Sequence, residues 1–263
     1  MPVKGTLIHY RMEGNGPYMV LLHGSFSSLH TYDAWTKILS ERYTVVRLDL
    51  PAFGLTGPSA DQCYTIKSYL HHLFHFLKSL QIDQFALAGS SLGGWIAWEY
   101  ALCFPKQVNK LILLDSAGFI DERNLPLPFR MARTPFFNRV IKFAVSKGML
   151  EEFVREGYHN QSKVTEEVID RYFELFNRQG NPEAFLMLVN ARYKDNSRQL
   201  KKLTVPTLIL WGKEDRWLPV ENAYRFHESI PENDLIIYDY VGHLPMEEIP
   251  EDTCQDVISF LTR

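Results

Sequence analysis

Apolar residues gather along this chain into short, nearly continuous runs, and between the runs they recur every three or four positions. "YMVLLHG" (18–24), "YTVVRLDL" (43–50), "QFALAGS" (84–90), "KLILLDS" (110–116), "VPTLILWG" (205–212) and "DLIIYDY" (234–240) are the runs. A strand with one wet face would alternate, so each run predicts a strand covered on both faces. Ile66, Tyr69, Leu70, Leu73, Leu77 and Leu80 repeat at helical spacing, which predicts an amphipathic helix. "GWIAWEYALCF" stops before Pro105, and "PEDTCQDVISFL" begins with Pro250 at a first helical position. Strand and helix in alternation predict an α/β fold with a mostly parallel, doubly wound sheet. "GTLIHYRMEG" near the start adds an antiparallel edge.

One stretch breaks the alternation. Residues 119–197 contain helical patterns and no strand-like run, so they predict a helical cap, or lid, inserted into a core of 1–118 and 198–263. "TEEVIDRYFELFNR" is one such pattern, and "NPEAFLMLVNARYK" is another, with Asn181 as its expected N-cap and Pro182 after it. A cap there would cover the strand ends, where open α/β sheets bind ligands. Phe129, Met131, Phe136, Phe137, Phe143, Met149, Phe153, Phe173, Phe176, Phe185 and Met187 supply its apolar content. Most are expected in the cap's own core and a minority on a pocket wall.

Composition narrows the function classes. Of 263 residues, 46% are hydrophobic and 22% charged, with a net charge of -3, so nothing recommends nucleic acid as a partner. No run is long enough to cross a bilayer. "MPVKGTLIHYRMEG" lacks a secretory apolar core, which makes the cytoplasm the expected location. Cys63, Cys103 and Cys254 are scattered and odd in number, as free thiols in a reducing compartment would be. No CxxC metal pair occurs. The expected partner is a small-molecule ester, taken by a monomer or homodimer.

"FALAGSSLGGWIAWEY" (85–100) carries the chemistry. A dinucleotide fingerprint needs G-x-G-x-x-G and a P-loop needs Gly-Lys-Ser/Thr; G-S-S-L-G-G is neither. Gly89-Ser90-Ser91-Leu92-Gly93 is instead G-x-S-x-G at a strand-to-helix corner, which displays Ser91 at the sheet edge with the helix dipole behind it. A serine needs a base. His71, His72 and His75 share one helix and lack a third metal ligand, while His159 and His227 read as surface residues. His243, in "YVGHLPMEEIP" after the last strand, is placed to reach Ser91. Asp215 in "LILWGKEDRWLP" is the carboxylate expected to hold that imidazole, in preference to Glu214, with Asp115 in reserve. "LLHGSF" supplies an oxyanion loop, so the backbone N–H groups of Ser25 and Leu92 are the expected donors. His23 is expected to shape that loop. Phe26, Trp95 and Leu244, each next to one of these parts, are expected on the pocket wall.

With HG at 23–24, "DLPAFGLTGP" at 49–58, GSSLG at 89–93, "GKEDRWLP" at 212–219 and "GHLPMEE" at 242–248, the chain resembles the α/β-hydrolase family over nearly its whole length. That resemblance implies Ser91 as nucleophile, His243 as base and then acid, Asp215 as its partner, a helical cap and no cofactor. The motifs leave the substrate open, and the expected activity is hydrolysis of carboxylic esters of small or medium acyl chains by an esterase-like serine hydrolase. Members that open epoxides or remove halides use aspartate where Ser91 stands. Carbon–carbon hydrolases of ring-fission products are the alternative, although they often carry Trp after the histidine and an Arg in the cap; here Leu244 follows, and Arg192 is an unaligned candidate. Small-molecule receptors of the same fold are a further alternative.

Overall fold

The computed structural model describes residues 1–119, 127–134 and 145–263, the side chains at 127, 128 and 131 aside. Two short strands, β1 (Pro2–Val3) and β2 (Thr6–Leu7), pair as a small ribbon. The main sheet contains β3 (Tyr10–Glu13), β4 (Tyr18–Leu22), β5 (Thr44–Leu48), β6 (Phe85–Ser90), β7 (Val108–Leu114), β8 (Thr207–Gly212) and β9 (Asn233–Tyr238). Their spatial order is β3-β5-β4-β6-β7-β8-β9. β3 runs antiparallel to β5, and every other neighbouring pair is parallel. The chain leaves β4 for β5 on one side and returns to β6 on the other, so the order reverses between β4 and β6. Crevices at such reversals bind ligands beyond the strands' carboxyl ends.

β6 and β8 are buried at every position, as their unbroken apolar sequence requires. Helices supply the cover: α1 (Asp33–Leu39) packs on α10 (Pro250–Leu261), and α2 (Ile66–Ser79) on α3 (Leu92–Cys103). The Trp35 indole N–H donates to Thr253 Oγ1 at 2.9 Å and ties α1 to α10. Thr65 caps α2 by accepting from Ser68 N.

Between β7 and β8 come α4 (Leu127–Ala132), α5 (Lys147–Glu156), α6 (Glu166–Phe176) and α7 (Asn181–Val189), with no strand among the described residues. Ser146 and Thr165 cap α5 and α6 through their hydroxyls. Asn181 does not cap α7. Gly180 takes the cap position at φ 88°, and buried Asn181 turns its amide inward to the carbonyls of Gly54 (3.1 Å) and Leu175 (2.7 Å). Phe153, Phe176 and Phe185 are buried, whereas Met149 and Met187 are exposed and serve neither core nor pocket. Phe136, Phe137, Phe143 and the Met131 side chain lie outside the described residues. After β8 follow α8 (Glu221–Ser229) and α9 (Pro245–Glu248).

Candidate active site

β6 ends at Ser90 and α3 begins at Leu92, so Ser91 alone turns the chain, at φ 52° and ψ −116°. Such a conformation costs about 1–3 kcal/mol and persists only where the surroundings impose it. Here they do. Ser91 N–H donates to Leu114 O (3.1 Å), and its carbonyl accepts from Trp95 N and Ala117 N (both 3.0 Å). A Cβ on Gly89 would come within 2.2 Å of Gly93 O, and one on Gly93 within 2.2 Å of Leu22 O. The glycines therefore let strand, helix and the end of β4 close on the corner. Ser91 lines a cavity, and its hydroxyl has no hydrogen-bond partner among the described residues.

On the same cavity stands His243, from the loop after β9. Its Nδ1 lies 2.6 Å from Asp215 Oδ2, and both residues are buried. Asp215 Oδ1 accepts from Trp217 N (2.8 Å) and Leu218 N (3.0 Å), which aims the carboxylate at the imidazole. His243 N–H donates to Gly157 O at 2.7 Å, so the inserted segment helps place the ring. The Trp217 indole packs against the imidazole at 4.8 Å and stacks on Phe153 at 4.3 Å. Glu214 is engaged elsewhere, accepting from Val241 N.

Asp115 follows β7 directly, without reaching the imidazole by any hydrogen bond. It is fully buried at φ 41°, and Oδ1 accepts from Gly212 N at 2.9 Å. Burial first, then the neighbouring Asp215 charge, raises its carboxyl well above the ordinary range. One ligand-type atom each from Asp115, Asp215 and His243 lie within 4.8 Å of one another. The short His243–Asp215 contact already engages Nδ1 in that set. His71 and His75 approach at 3.2 Å, but the Lys4 ammonium sits 2.9 Å from His71 Nε2 and opposes a cation there. His72 bonds its own helix at Ser68 O (2.9 Å), and His159 and His227 are exposed.

The loop after β4 forms the facing wall. His23 is buried, its Nδ1 donating to Gly24 O (2.7 Å) while Nε2 accepts from Leu50 N (2.9 Å). Burial lowers its pKa, and this bonding pattern needs the neutral ring. Phe26 adopts φ 65°, held by rings of Phe185, Phe153, Phe176 and Phe129 at 4.2 to 5.7 Å. The N–H groups of Ser25 and Leu92 have no acceptor among the described residues. The Phe26 N–H is equally free, a donor that spacing in the sequence did not single out.

The cavity holds about 450 Å³ and takes Ser25, Phe26, Leu92 and Trp95 from the core and Phe129, Phe153, Leu188 and Tyr193 from the insertion. Leu244 is outside it. The chain turns into α9 there, Leu244 O accepts from Glu247 N and Glu248 N, and the buried side chain joins the core. Arg192 is exposed and absent from the lining; Arg133 and Arg225 supply the guanidinium groups. Trp217, Asn222 and Arg225 also line the cavity. Asn222 and Arg225 are three apart on α8, a spacing that marks one helix face. Trp217 had no comparable signal, since its place depends on how the Asp215 loop turns.

A model of the alpha/beta hydrolase family matches residues 19–256. An uncharacterized hydrolase of Bacillus subtilis, YugF, is 32% identical over 254 residues, covering 96% of this chain and 92% of that one. The chain belongs to the α/β-hydrolase family and is a hydrolase. It is also similar to 2-hydroxy-6-oxo-6-(2'-aminophenyl)hexa-2,4-dienoic acid hydrolase of Metapseudomonas resinovorans, at 26% identity over 98% of this chain and 89% of that one. A solved meta-cleavage product hydrolase from Pseudomonas fluorescens superposes with a TM-score of 0.85 at 23% identity, over 99% of this chain and 96% of that one, and shares the fold. No described helix is long and apolar enough to cross a membrane.

Proposed function

We propose that the protein hydrolyses carboxylic esters of small or medium acyl chains through an acyl-enzyme on Ser91. The observation that carries this reading is the 2.6 Å His243 Nδ1–Asp215 Oδ2 contact, set on one cavity with a serine held at φ 52°. Asp215 holds the proton on Nδ1, which leaves Nε2 to accept the Ser91 proton as Oγ attacks the acyl carbon. The oxyanion meets the free N–H groups of Leu92 and Ser25; one such donor is worth about 3 kcal/mol in the transition state. His243 then protonates the leaving alcohol, and water attacks the acyl-enzyme by the same relay. The helices from α4 to α7 act as the cap, with the acyl chain among Phe129, Phe153 and Leu188.

The test is a time course on p-nitrophenyl acetate, butyrate, octanoate and palmitate, with the parent beside Ser91→Ala. Turnover should fall by roughly four orders of magnitude or more in the variant with its melting temperature kept. Near-parent activity in Ser91→Ala would remove the mechanism.

Carbon–carbon bond hydrolysis is the second reading, favoured by two observations. Relatives such as the Metapseudomonas enzyme are named for a dienoic acid, and Arg133 and Arg225 line this cavity, where a carboxylate would need a cation. Fluorophosphonate labelling of Ser91 without turnover of any ester, and cleavage of a ring-fission acid, would select it.

A further inference from the structure

We propose that Asp115 is a neutral carboxylic acid that donates its proton to Asp215 and thereby positions the Asp215–His243 pair. The inference rests on the reading of Ser91, His243 and Asp215 given above.

Two buried carboxyls with oxygens inside 4.8 Å of one another resist ionising together, because each charge raises the cost of the other. Donor count decides which one keeps the proton. Asp215 receives three hydrogens, from Trp217 N, Leu218 N and His243 Nδ1. Asp115 receives one backbone hydrogen, from Gly212 N on Oδ1, while its Oδ2 is buried with no donor directed at it. An anionic oxygen so placed would be desolvated and unpaired; a hydroxyl there can turn to the neighbouring Asp215 carboxylate as acceptor. The backbone holds the two carboxyls side by side. Asp115 N–H donates to Leu210 O at 3.0 Å, and with φ at 41° the side chain turns to the end of β8, where Asp215 follows. The other titratable groups facing Asp115 are His243, Glu248 on α9 and Tyr238 on β9. Glu248 adds negative potential and so reinforces the neutral form of Asp115.

This arrangement has a consequence for catalysis. A neutral donor orients Asp215 without adding a second negative charge beside the imidazole, so His243 feels one carboxylate rather than two.

Asparagine matches the neutral acid in shape and can donate, but it cannot ionise, so Asp115→Asn separates the alternatives. Asp115→Ala should lower kcat about tenfold through the lost hydrogen bond. Asp115→Asn should recover most of that loss, with the acid limb of its kcat/KM profile superimposed on the parent's. If Asp115 were ionised, the same substitution would remove a charge and move that limb to lower pH by about one unit. A readout independent of turnover is the infrared band of a protonated carboxyl, expected in the parent and in Ser91→Ala and absent from Asp115→Asn. A displaced limb, or no such band in the parent, overturns the proposal. If Asp115→Ala does not fold, Asp115→Asn and the infrared band decide alone. Failure of the ester reading would instead appear as activity retained in Ser91→Ala, which leaves the infrared result unaffected.

Discussion

His23 illustrates how a single ring sets the loop after β4. It donates from Nδ1 to Gly24 O and accepts at Nε2 from Leu50 N, thereby joining the loops after β4 and β5. Protonation would convert the acceptor into a donor facing a donor. Burial lowers its pKa from 6.5. The folded value lies below the unfolded one, so the stabilisation is complete above about pH 6.5 and is lost as pH falls from there through the folded value. A residue-resolved NMR titration should find the His23 ring neutral at pH values where a free imidazole is already charged. Titration of His23 at its ordinary pKa would contradict this account of the loop. Single residues in local motifs were legible in the sequence for the same reason: Ser91 sits in a corner whose glycines the backbone itself requires. Trp217 and the free Phe26 N–H were not, because loop conformation and not spacing brings them to the cavity. Leu244 was misplaced because the beginning of α9 turns it inward.

At the level of elements, two neighbouring glutamates fasten the histidine loop to the inserted helices. Glu248 is buried and accepts from Gly242 N (2.9 Å), His159 N (3.1 Å) and Asn160 N (2.7 Å). Glu247 accepts from Tyr158, Tyr172, Arg171 and Thr31. The loop bearing His243 is thus placed by the turn after α5 and by α6 as much as by β9. Glu248→Ala leaves those backbone donors unpaired, of which Gly242 N is the least able to reach water. It should lose about 2–3 kcal/mol in chemical denaturation, with kcat falling as His243 loosens. Glu248→Gln keeps one acceptor oxygen and should lose less; equal stability of parent and Glu248→Ala would show that the latch is idle. The apolar pattern marked the strands and the helices α6 and α7 closely, although β9, expected to be covered on both faces, is only half-buried at the edge of the sheet. It misread the start of α7, where Gly180 takes the left-handed cap and frees Asn181 to bridge to Gly54.

For the whole molecule, the reversal of strand order between β4 and β6 opens a crevice at the sheet edge, and helices between β7 and β8 supply part of its wall. The resulting cavity of about 450 Å³ lies in the lower part of the roughly 300–1,000 Å³ typical of small-molecule sites. Its walls come from both layers, so acyl length should be read by the residues of the insertion rather than by the sheet. Leu188 on α7 is buried on that wall. Leu188→Ala removes methyl contacts each worth about 0.8 kcal/mol per buried carbon, and it adds room at the same point. Short esters should lose several-fold in kcat/KM because they no longer fill the space. Longer esters should hold or gain, moving the optimum of a chain-length series upward. A profile that keeps its optimum while the whole curve falls would mean that Leu188 supports the fold and leaves substrate length to another wall. The predicted shift depends on the substrate lying between sheet edge and insertion, which makes it a test of the assembled cavity as well as of one side chain.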